Sequence, residues 1–257
     1  MIYVTGDIHG SHSISKLSSR HWAEGRSLTF GDYLIVCGDF GLWWDGESRG
    51  KHDIYWRNWL EMKHWTTLWV DGNHENHDMV LSLPVVEWNG GRAHVDERWP
   101  HIIHLMRGEV YDVPDGDSVT RIFSFGGARS HDIQWRTEGI DWWPREMPNL
   151  EEFENGMANL ERVGWEVDYV ITHDAPTAPK RKLLSTFPES WRTDRWEDDR
   201  LNGYLDRFDE RLSYRKWYFG HYHDDAVVDE KHDVLYDQVL RIGENPEEGR
   251  EWRWPRR

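Results

Sequence analysis

The sequence predicts an α/β fold with a mostly parallel sheet. Short apolar runs typical of buried strands alternate with helical patterns, as βαβ units require. Several of these runs end in glycine followed by a polar residue, at the strand ends where open α/β sheets place their ligands. Closely spaced strands in the middle of the chain predict an antiparallel extension or a second sheet.

The first ten residues introduce the pattern. Residues 2–4 favour an extended strand, and Gly6 permits the sharp turn that ends it. Asp7 and His9 follow two residues apart, a spacing at which side chains of an extended or tightly turned segment point the same way. A carboxylate and an imidazole are therefore expected to converge just beyond the first strand.

The next elements repeat this arrangement. Residues 11–24 and 53–65 have the apolar spacing of helices, and residues 33–37 and 66–70 are short apolar runs typical of buried strands. Polar residues again follow both strands, in the segments Gly38-Asp39 and Gly72-Asn73-His74.

The middle of the chain has a different character. Residues 84–100 are predicted to be a loop, and residues 102–106, 109–113 and 120–125 to be short strands joined by turns. Residues 130–149 are rich in tryptophan, proline and charge, which predicts a long surface loop. Loops of this length often bind ligands or act as lids.

The last part of the chain returns to alternating helices and strands. Helices are predicted over 149–163 and 201–212, with a basic, proline-containing loop over 176–193 between them. Strands over 168–172 and 216–219 end at His173 and at Gly220-His221-Tyr222-His223, and closing strands are predicted near 227–228, 234–236 and 239–242.

The composition limits the classes of protein. The 257 residues carry a net charge of −16, which predicts a soluble protein without generic attraction to nucleic-acid backbones. No apolar run approaches the roughly 20 residues of a membrane span, and the N-terminus lacks the features of a signal peptide. The single cysteine, Cys37, excludes an internal disulfide and a thiolate metal cluster, so a cytoplasmic location is expected.

The chain shows no internal repeat and no clear linker. We therefore expect one domain over residues 1–243, followed by a polar C-terminal tail over residues 244–257 that is poorly ordered. The 18 tryptophans are expected mainly in the core. Five of them lie in segments predicted to be loops, where they could wall a pocket for an aromatic or nucleoside group: Trp43, Trp44, Trp135, Trp142 and Trp143.

Five predicted strand ends carry oxygen and nitrogen donors, without a thiolate. These candidate metal ligands are Asp7, His9, Asp39, Asn73, His173, His221 and His223. Such a donor set suits Mn, Fe, Zn, Ni or Co. Seven ligands are too many for one tetrahedral zinc ion. They suit two ions about 3.5–4 Å apart that share a carboxylate and clamp a phosphoryl group.

The ordered set of motifs resembles the calcineurin-like metallophosphoesterases. The matching segments are Gly6-Asp7-Ile8-His9, Gly38-Asp39, Gly72-Asn73-His74-Glu75, Thr172-His173 and Gly220-His221-Tyr222-His223, which span residues 6 to 223. The resemblance implies an α/β fold of four layers, an αββα sandwich of two mixed sheets, with a dinuclear metal site at one edge. It also implies hydrolysis of a phosphoester by a hydroxide that bridges two divalent ions, of which Mn is the first choice.

The resemblance also implies a role for each motif residue. Asp39 would bridge the ions, and His74 would protonate the leaving oxygen or stabilise charge on the phosphoryl group. The remaining ligands divide into two groups, one for each ion: Asp7, His9 and His223 for the first, and Asn73, His173 and His221 for the second.

The sequence departs from the phosphatase branch of this family after Asp39. Leu42 and Trp43 stand where that branch has an aspartate that orients the catalytic histidine and an arginine that grips phosphate. Asp45 is one replacement for the aspartate; otherwise His74 is oriented by other means. The candidates for holding phosphate are Arg129, His131, Arg181 and Lys182.

The predicted function is hydrolysis of a small phosphorylated substrate, either a phosphomonoester or a phosphodiester. The alternatives are a nuclease, for which DNA or RNA would be a substrate, and a non-catalytic scaffold that binds proteins. The complete ligand set argues against the scaffold. The oligomeric state stays open.

Overall fold

Two mixed β-sheets form the centre of the protein in the computed structural model, which describes residues 1–45, 51–189 and 197–247. The described strands are β1 (Ile2–Thr5), β2 (Tyr33–Val36), β3 (Thr66–Trp69), β4 (Val85–Trp88), β5 (Gly91–Val95), β6 (Ile102–Leu105), β7 (Glu109–Asp115), β8 (Ser118–Phe125), β9 (Tyr169–Thr172), β10 (Lys216–Phe219), β11 (Ala226–Val227), β12 (His232–Val234) and β13 (Val239–Arg241). The described α-helices are α1 (Lys51–Glu61), α2 (His77–Leu81), α3 (Leu150–Arg162), α4 (Thr177–Thr186) and α5 (Arg200–Asp209).

Each sheet has a parallel centre and antiparallel edges. The first sheet has the order β13-β1-β2-β3-β6-β5-β4, in which β1, β2, β3 and β6 are parallel neighbours. The second has the order β11-β12-β10-β9-β8-β7, in which β12, β10, β9 and β8 are parallel neighbours. The prediction of an α/β fold with two mixed sheets is therefore confirmed.

Three apolar layers hold the sheets and helices together. Side chains that alternate along each strand point to opposite faces of the sheet. On β2, Ile35 packs between the two sheets, whereas Leu34 packs on the outer face of the first sheet with Leu60 of α1. On β9, Val170 packs on the outer face of the second sheet with Phe208 of α5. The layers therefore follow the order helix, sheet, sheet, helix.

The predicted helix over residues 11–24 is wrong. This part of the chain forms turns and two short 3-10 helices, Ile14–Leu17 and Glu24–Arg26. Ile14 and Leu17 are buried at the three-residue spacing of a 3-10 turn, which also satisfies the apolar pattern. Lys16 is drawn inward between them, and its ammonium group donates hydrogen bonds to the carbonyl oxygens of Gly6 and Asp7.

The predicted loop over residues 84–100 is also wrong, because it contains the hairpin of β4 and β5. Asn89 and Gly90 form the two-residue turn with φ values of 47° and 89°. An Asn-Gly pair at positive φ is a strong hairpin signal, since this turn matches the twist of the strands. Val85 and Val86 are exposed, as expected on the edge strand of a sheet, so the run lacks a buried pattern.

The predicted loop over residues 176–193 contains α4 instead. Pro176 is the N-cap residue, and Pro179 lies in the first turn, where proline is tolerated because its missing N–H has no partner in the helix. Thr177 anchors this end by donating its N–H and its hydroxyl to Asp206. Residues 190–193 of the predicted loop lie outside the described residues.

The other predicted elements agree with the structure within a few residues. The predicted helix over 201–212 ends earlier, at Asp209. Within residues 130–149, the structure has two 3-10 helices, Ile133–Trp135 and Pro144–Glu146, in an otherwise irregular connection. In the predicted tail, residues 248–257 lie outside the described residues. Among the helices that the structure describes, none is both long enough and apolar enough to cross a bilayer.

Candidate metal centre

The structure brings the predicted site residues together at one edge of the two sheets. β1, β2 and β3 are adjacent and parallel in the first sheet, and β9 and β10 are adjacent and parallel in the second. Their carboxyl ends therefore meet at the same edge. The residues that follow these ends, in the order of the strands, are Asp7 and His9, Asp39, Asn73 and His74, His173, and His221 and His223.

The backbone is strained at this edge. His9, Asp39, His221 and His223 have φ values between 45° and 68°, in the left-handed region that side chains disfavour. They are four of the six non-glycine residues with positive φ in the described part of the chain. Backbone hydrogen bonds hold the geometry in place, including one of 2.6 Å from the N–H of His9 to the carbonyl oxygen of Asp39.

The glycines of the motifs are required by close approach. A Cβ atom on Gly72 would overlap Asp39 Oδ1, the backbone nitrogen of Asp39 and Nε2 of His173. A Cβ atom on Gly220 would overlap Oδ1 of Asp7. Glycine at these positions therefore lets backbone segments from both sheets lie in contact with the side chains of Asp7, Asp39 and His173.

One group of donors is formed by Asp7, His9, Asp39 and His223, each of which offers an atom within 4.8 Å of the others. Nε2 of His9 lies 2.9 Å from Nε2 of His223, 3.6 Å from Asp7 Oδ2 and 3.5 Å from Asp39 Oδ2. Nε2 of His223 lies 3.2 Å from Asp7 Oδ2. Carboxylate oxygens and imidazole nitrogens that converge in this way form a possible site for a metal ion.

Asp39 also faces a second group of donors through its other oxygen. Nε2 of His173 lies 3.2 Å from Asp39 Oδ1 and 3.3 Å from the side-chain oxygen of Asn73. The ring of His221 lies beside that of His173, with 5.0 Å between the ring centroids. The two oxygens of one carboxylate are therefore directed at two sets of donors.

The donors fit a cation. Oδ2 of Asp7 is buried and makes no hydrogen bond, although two imidazole nitrogens lie near it. A buried acceptor without a partner is costly, and a cation between these atoms would remove that cost. Burial would raise the pKa of Asp7, but His173 and His223 outweigh burial and hold it below its usual value.

The carboxylates of the centre act in turn on His173. Burial would lower the pKa of its imidazole, but Asp39 and Asp7 outweigh burial and raise it to about 10. The two carboxylates thus strongly favour positive charge at this imidazole. A bound metal ion would supply that charge and replace the proton.

Further contacts orient the ligand atoms. Nδ1 of His173 lies 2.7 Å from the carbonyl oxygen of Cys37, so its N–H donates there and Nε2 is left for the centre. The side-chain nitrogen of Asn73 donates to the hydroxyl of Ser130, at 3.2 Å, which directs the amide oxygen of Asn73 towards His173. Ser130 in turn donates to Glu146, at 2.6 Å.

A comparison with protein families agrees with this geometry. The model of the calcineurin-like phosphoesterase family matches residues 1–225. The chain belongs to the calcineurin-like phosphoesterase family. A search of curated proteins found no match. Members of this family are metal-dependent hydrolases of phosphoesters, so the chain is assigned to that class of enzyme, which acts on phosphorylated substrates.

His74 lies beside the donors of this calcineurin-like centre. Its backbone N–H donates to Asp39 Oδ1, at 2.7 Å, and its ring centroid is 5.1 Å from that of His9. Burial lowers the pKa of His74 to about 4; Asp39 opposes the shift, and His9 and Arg136 add to it. The imidazole is therefore neutral at neutral pH and can donate one N–H to a substrate oxygen.

The two positions that depart from the phosphatase branch are core positions in this chain. Leu42 and Trp43 are buried in the apolar layer outside the first sheet. The backbone N–H of Asp45 donates to Asp53, at 2.9 Å. Arg136, from the long connection that the sequence predicted as a loop, contacts the ring of His74.

The predicted substrate residues are on the surface. Arg129 and His131 are exposed, and Lys182 is exposed on α4. Arg181 is also exposed on α4 and forms an ion pair with Asp198. Sequence analysis missed Arg136, and the only signal that could have indicated it was the length of the connection over 130–149.

The tryptophans proposed as pocket walls divide into three groups. Trp43 and Trp143 are buried, Trp43 lines a cavity with Ile54 and Arg57, and their role as walls of a substrate pocket stays a prediction. Trp44 and Trp142 are half-buried. Trp135 is 84% exposed and precedes Arg136 directly. The expectation that tryptophan mainly fills the core holds for Trp43, Trp143 and for Trp22, Trp65, Trp69, Trp99, Trp165 and Trp217.

Proposed function

We propose that the protein hydrolyses small phosphoesters with two divalent ions held at this centre. The observation that carries the proposal is the position of Asp39, whose Oδ2 lies 3.5 Å from His9 and whose Oδ1 lies 3.2 Å from His173. A carboxylate directed at two donor groups is the arrangement that a pair of ions requires. The family supports phosphoester hydrolysis in general.

Each residue of the candidate metal centre has its own role in this proposal. Asp39 is shared, and the other ligands form one set of Asp7, His9 and His223 and another of Asn73, His173 and His221. When bound, two such ions would activate water for attack on phosphorus and neutralise charge on the phosphoryl group. His74 is not a ligand; its N–H hydrogen-bonds to a phosphoryl or leaving-group oxygen and stabilises the charge that develops there.

We propose manganese as the first choice of metal, with Fe, Zn, Ni and Co as alternatives. The donor set consists of carboxylate and amide oxygens and imidazole nitrogens, which suit all of these ions, and the one cysteine, Cys37, is buried in the layer between the sheets. The preference for manganese comes from the resemblance to the calcineurin-like family. The net charge of −16 favours small phosphorylated molecules over nucleic acids as substrates, because polyanions would be repelled.

We also propose that residues 1–243 form one domain, followed by the tail over 244–257. In support, β13 (Val239–Arg241) pairs with β1 in the sheet that carries Asp7, so the last described strand closes onto the first. We further propose that the protein is cytoplasmic, since a single cysteine suits a reducing compartment.

The direct test is metal content together with hydrolysis. The chain is reconstituted with Mn²⁺, freed of excess metal, and assayed with p-nitrophenyl phosphate and its bis-ester. We expect two ions per chain and hydrolysis of at least one ester. Chelation should remove the ions and abolish the hydrolysis. A protein that binds no ion and hydrolyses neither ester would contradict the proposal. Nicked plasmid or trimmed single-stranded RNA under the same conditions would favour the nuclease.

His74→Ala is expected to slow hydrolysis by on the order of 10²-fold, the lower range for loss of a positioned hydrogen-bond donor to developing charge. Metal content should stay at the wild-type value, since His74 is outside the proposed ligand set. The measurement is kcat for the ester that the wild type hydrolyses, with His12→Ala as the control because His12 is exposed. An unchanged kcat would remove His74 from the mechanism.

A further inference from the structure

Arg136 brings a positive charge to the metal centre from a distant part of the chain. Its side chain is only 12% exposed, although it lies in the connection between β8 and α3. Its two terminal nitrogens face the ring of His74: Nη1 is 3.5 Å from Nδ1, and Nη2 is 3.3 Å from Nε2. A nearly buried guanidinium therefore lies against the residue proposed to contact the reacting group.

Other contacts fix the direction of this guanidinium. Nε donates to Asp132 at 2.6 Å, and Nη1 donates to the carbonyl oxygen of Asp141 at 3.0 Å. The connection is itself braced, because the N–H of Thr137 donates to the Asp141 side chain, at 2.5 Å, and the N–H of Asp141 donates to the carbonyl oxygen of Thr137, at 3.1 Å. These anchors leave the end of the fork directed at His74.

The end of the fork has a poor partner there. A guanidinium has five donors in a planar fork that matches the paired oxygens of a carboxylate or a phosphate. Its charge-assisted hydrogen bonds to such oxygens are about 2.7–2.9 Å long. The contacts with His74, at 3.3 and 3.5 Å, are longer, and an imidazole ring has no paired oxygens to match the fork. Asp132 pairs with Nε, so it does not occupy this end.

We propose that Arg136 binds the non-bridging oxygens of the substrate phosphoryl group and thereby selects phosphomonoesters over phosphodiesters. This inference rests on the proposed function. A monoester carries one more non-bridging oxygen and one more negative charge than a diester. The fork can hydrogen-bond to that extra oxygen and neutralise its charge. A diester has an uncharged ester oxygen in place of that charged one, and a guanidinium hydrogen-bonds more weakly to an uncharged oxygen. Leu42 and Trp43, which are buried, cannot supply this contact.

The test compares Arg136→Ala and Arg136→Lys with the wild type, all loaded with Mn²⁺. For p-nitrophenyl phosphate, the alanine variant should lose kcat/KM by about 10–100-fold, the range for a hydrogen bond to a charged group. The bis-ester should change by less than about 3-fold, as expected of a side chain that makes no strong hydrogen bond to it. Lysine should restore only part of the monoester activity, because it lacks the fork.

A binding measurement makes the test independent of turnover. Calorimetry with inorganic phosphate should show an affinity about 10–100-fold weaker for Arg136→Ala at unchanged metal content, because the variant cannot form the charge-assisted hydrogen bonds of the guanidinium. Arg145→Ala is the matched control, since Arg145 is an exposed arginine of the same connection. If the wild type binds phosphate but hydrolyses neither ester, the proposed function fails while the calorimetry still tests Arg136. Equal losses for the two esters, or unchanged phosphate affinity, would overturn this inference.

Discussion

Asp39→Asn is expected to reduce hydrolysis to the level of the chelated wild-type protein. The substitution keeps the shape of the side chain, and the amide oxygen can still accept the hydrogen bond from the N–H of His74. It removes the negative charge and replaces one of the two oxygens that face His9 and His173 with an amide nitrogen. Loss of a partner outside the ligand set already costs about 10–100-fold in metal affinity or activity, so loss of a shared ligand should cost more.

The measurement is the number of Mn ions per chain together with kcat/KM. We expect at most one tightly bound ion in Asp39→Asn, against two in the wild type. Asp117→Asn is the control, because it removes one charge from an exposed carboxylate between β7 and β8. A variant that keeps two ions and the wild-type rate would show that Asp39 is not the shared ligand, and the assignment of two ion sites would fail with it.

The positions of the candidate ligands could be predicted from the sequence because each depends on a few consecutive residues. Gly38-Asp39 and Gly72-Asn73 lie within a few residues of the ends of buried strands, and parallel strands bring their carboxyl ends to one edge. The contacts that orient these ligands could not be predicted in the same way. Ser130 contacts Asn73, and Arg136 contacts His74, although the two residues of each pair are more than fifty positions apart in the sequence.

The errors in the predicted secondary structure have local physical causes. The spacing of Ile14 and Leu17 suits a 3-10 turn as well as an α-helix, and the inward hydrogen bonds of Lys16 to the first strand end could not be foreseen from the apolar pattern. The edge strand β4 has exposed valines and therefore no alternating pattern, so the Asn-Gly turn beside it was the more reliable signal. Strands buried on both faces were predicted well, because their continuous apolar runs have few alternative structures.

Asp71→Ala is expected to cause the largest loss of stability among the predictions. Asp71 is buried at the end of β3, where it accepts hydrogen bonds from Nε and Nη2 of Arg107. The Arg107 side chain is only 6% exposed, so removing Asp71 leaves a buried charge with Glu152 as a more distant carboxylate partner, at 3.3 Å. Breaking a buried pair costs about 3–5 kcal/mol in the free energy of unfolding, and Glu152 places the expected loss at the lower end of that range. His104 would also be left without this carboxylate, which is 3.2 Å away.

The measurement is denaturant unfolding followed at neutral pH, where this contribution should be complete. Arg107 and His104 outweigh the opposing effect of burial and hold the pKa of Asp71 below its usual value. The pair therefore stabilises the fold above the ordinary carboxyl pKa of about 4, and its contribution is lost only as the pH falls towards the lowered pKa. Asp112→Ala is the matched control, since it breaks an exposed pair with Arg121 and should cost no more than about 1 kcal/mol.

A double variant separates the buried charge from the other effects of losing Asp71. Asp71→Ala combined with Arg107→Met removes both charges, so we expect it to be more stable than Asp71→Ala alone. If the double variant is no more stable, the loss comes from the other contacts of Asp71, such as that with His104, rather than from the charge on Arg107. Asp71 also accepts the N–H of Gly127 at its carbonyl oxygen, at 2.7 Å, and this bond joins β3 to the connection that carries Arg136. That bond persists in the alanine variant, so phosphate affinity measured below the unfolding transition should stay near the wild-type value.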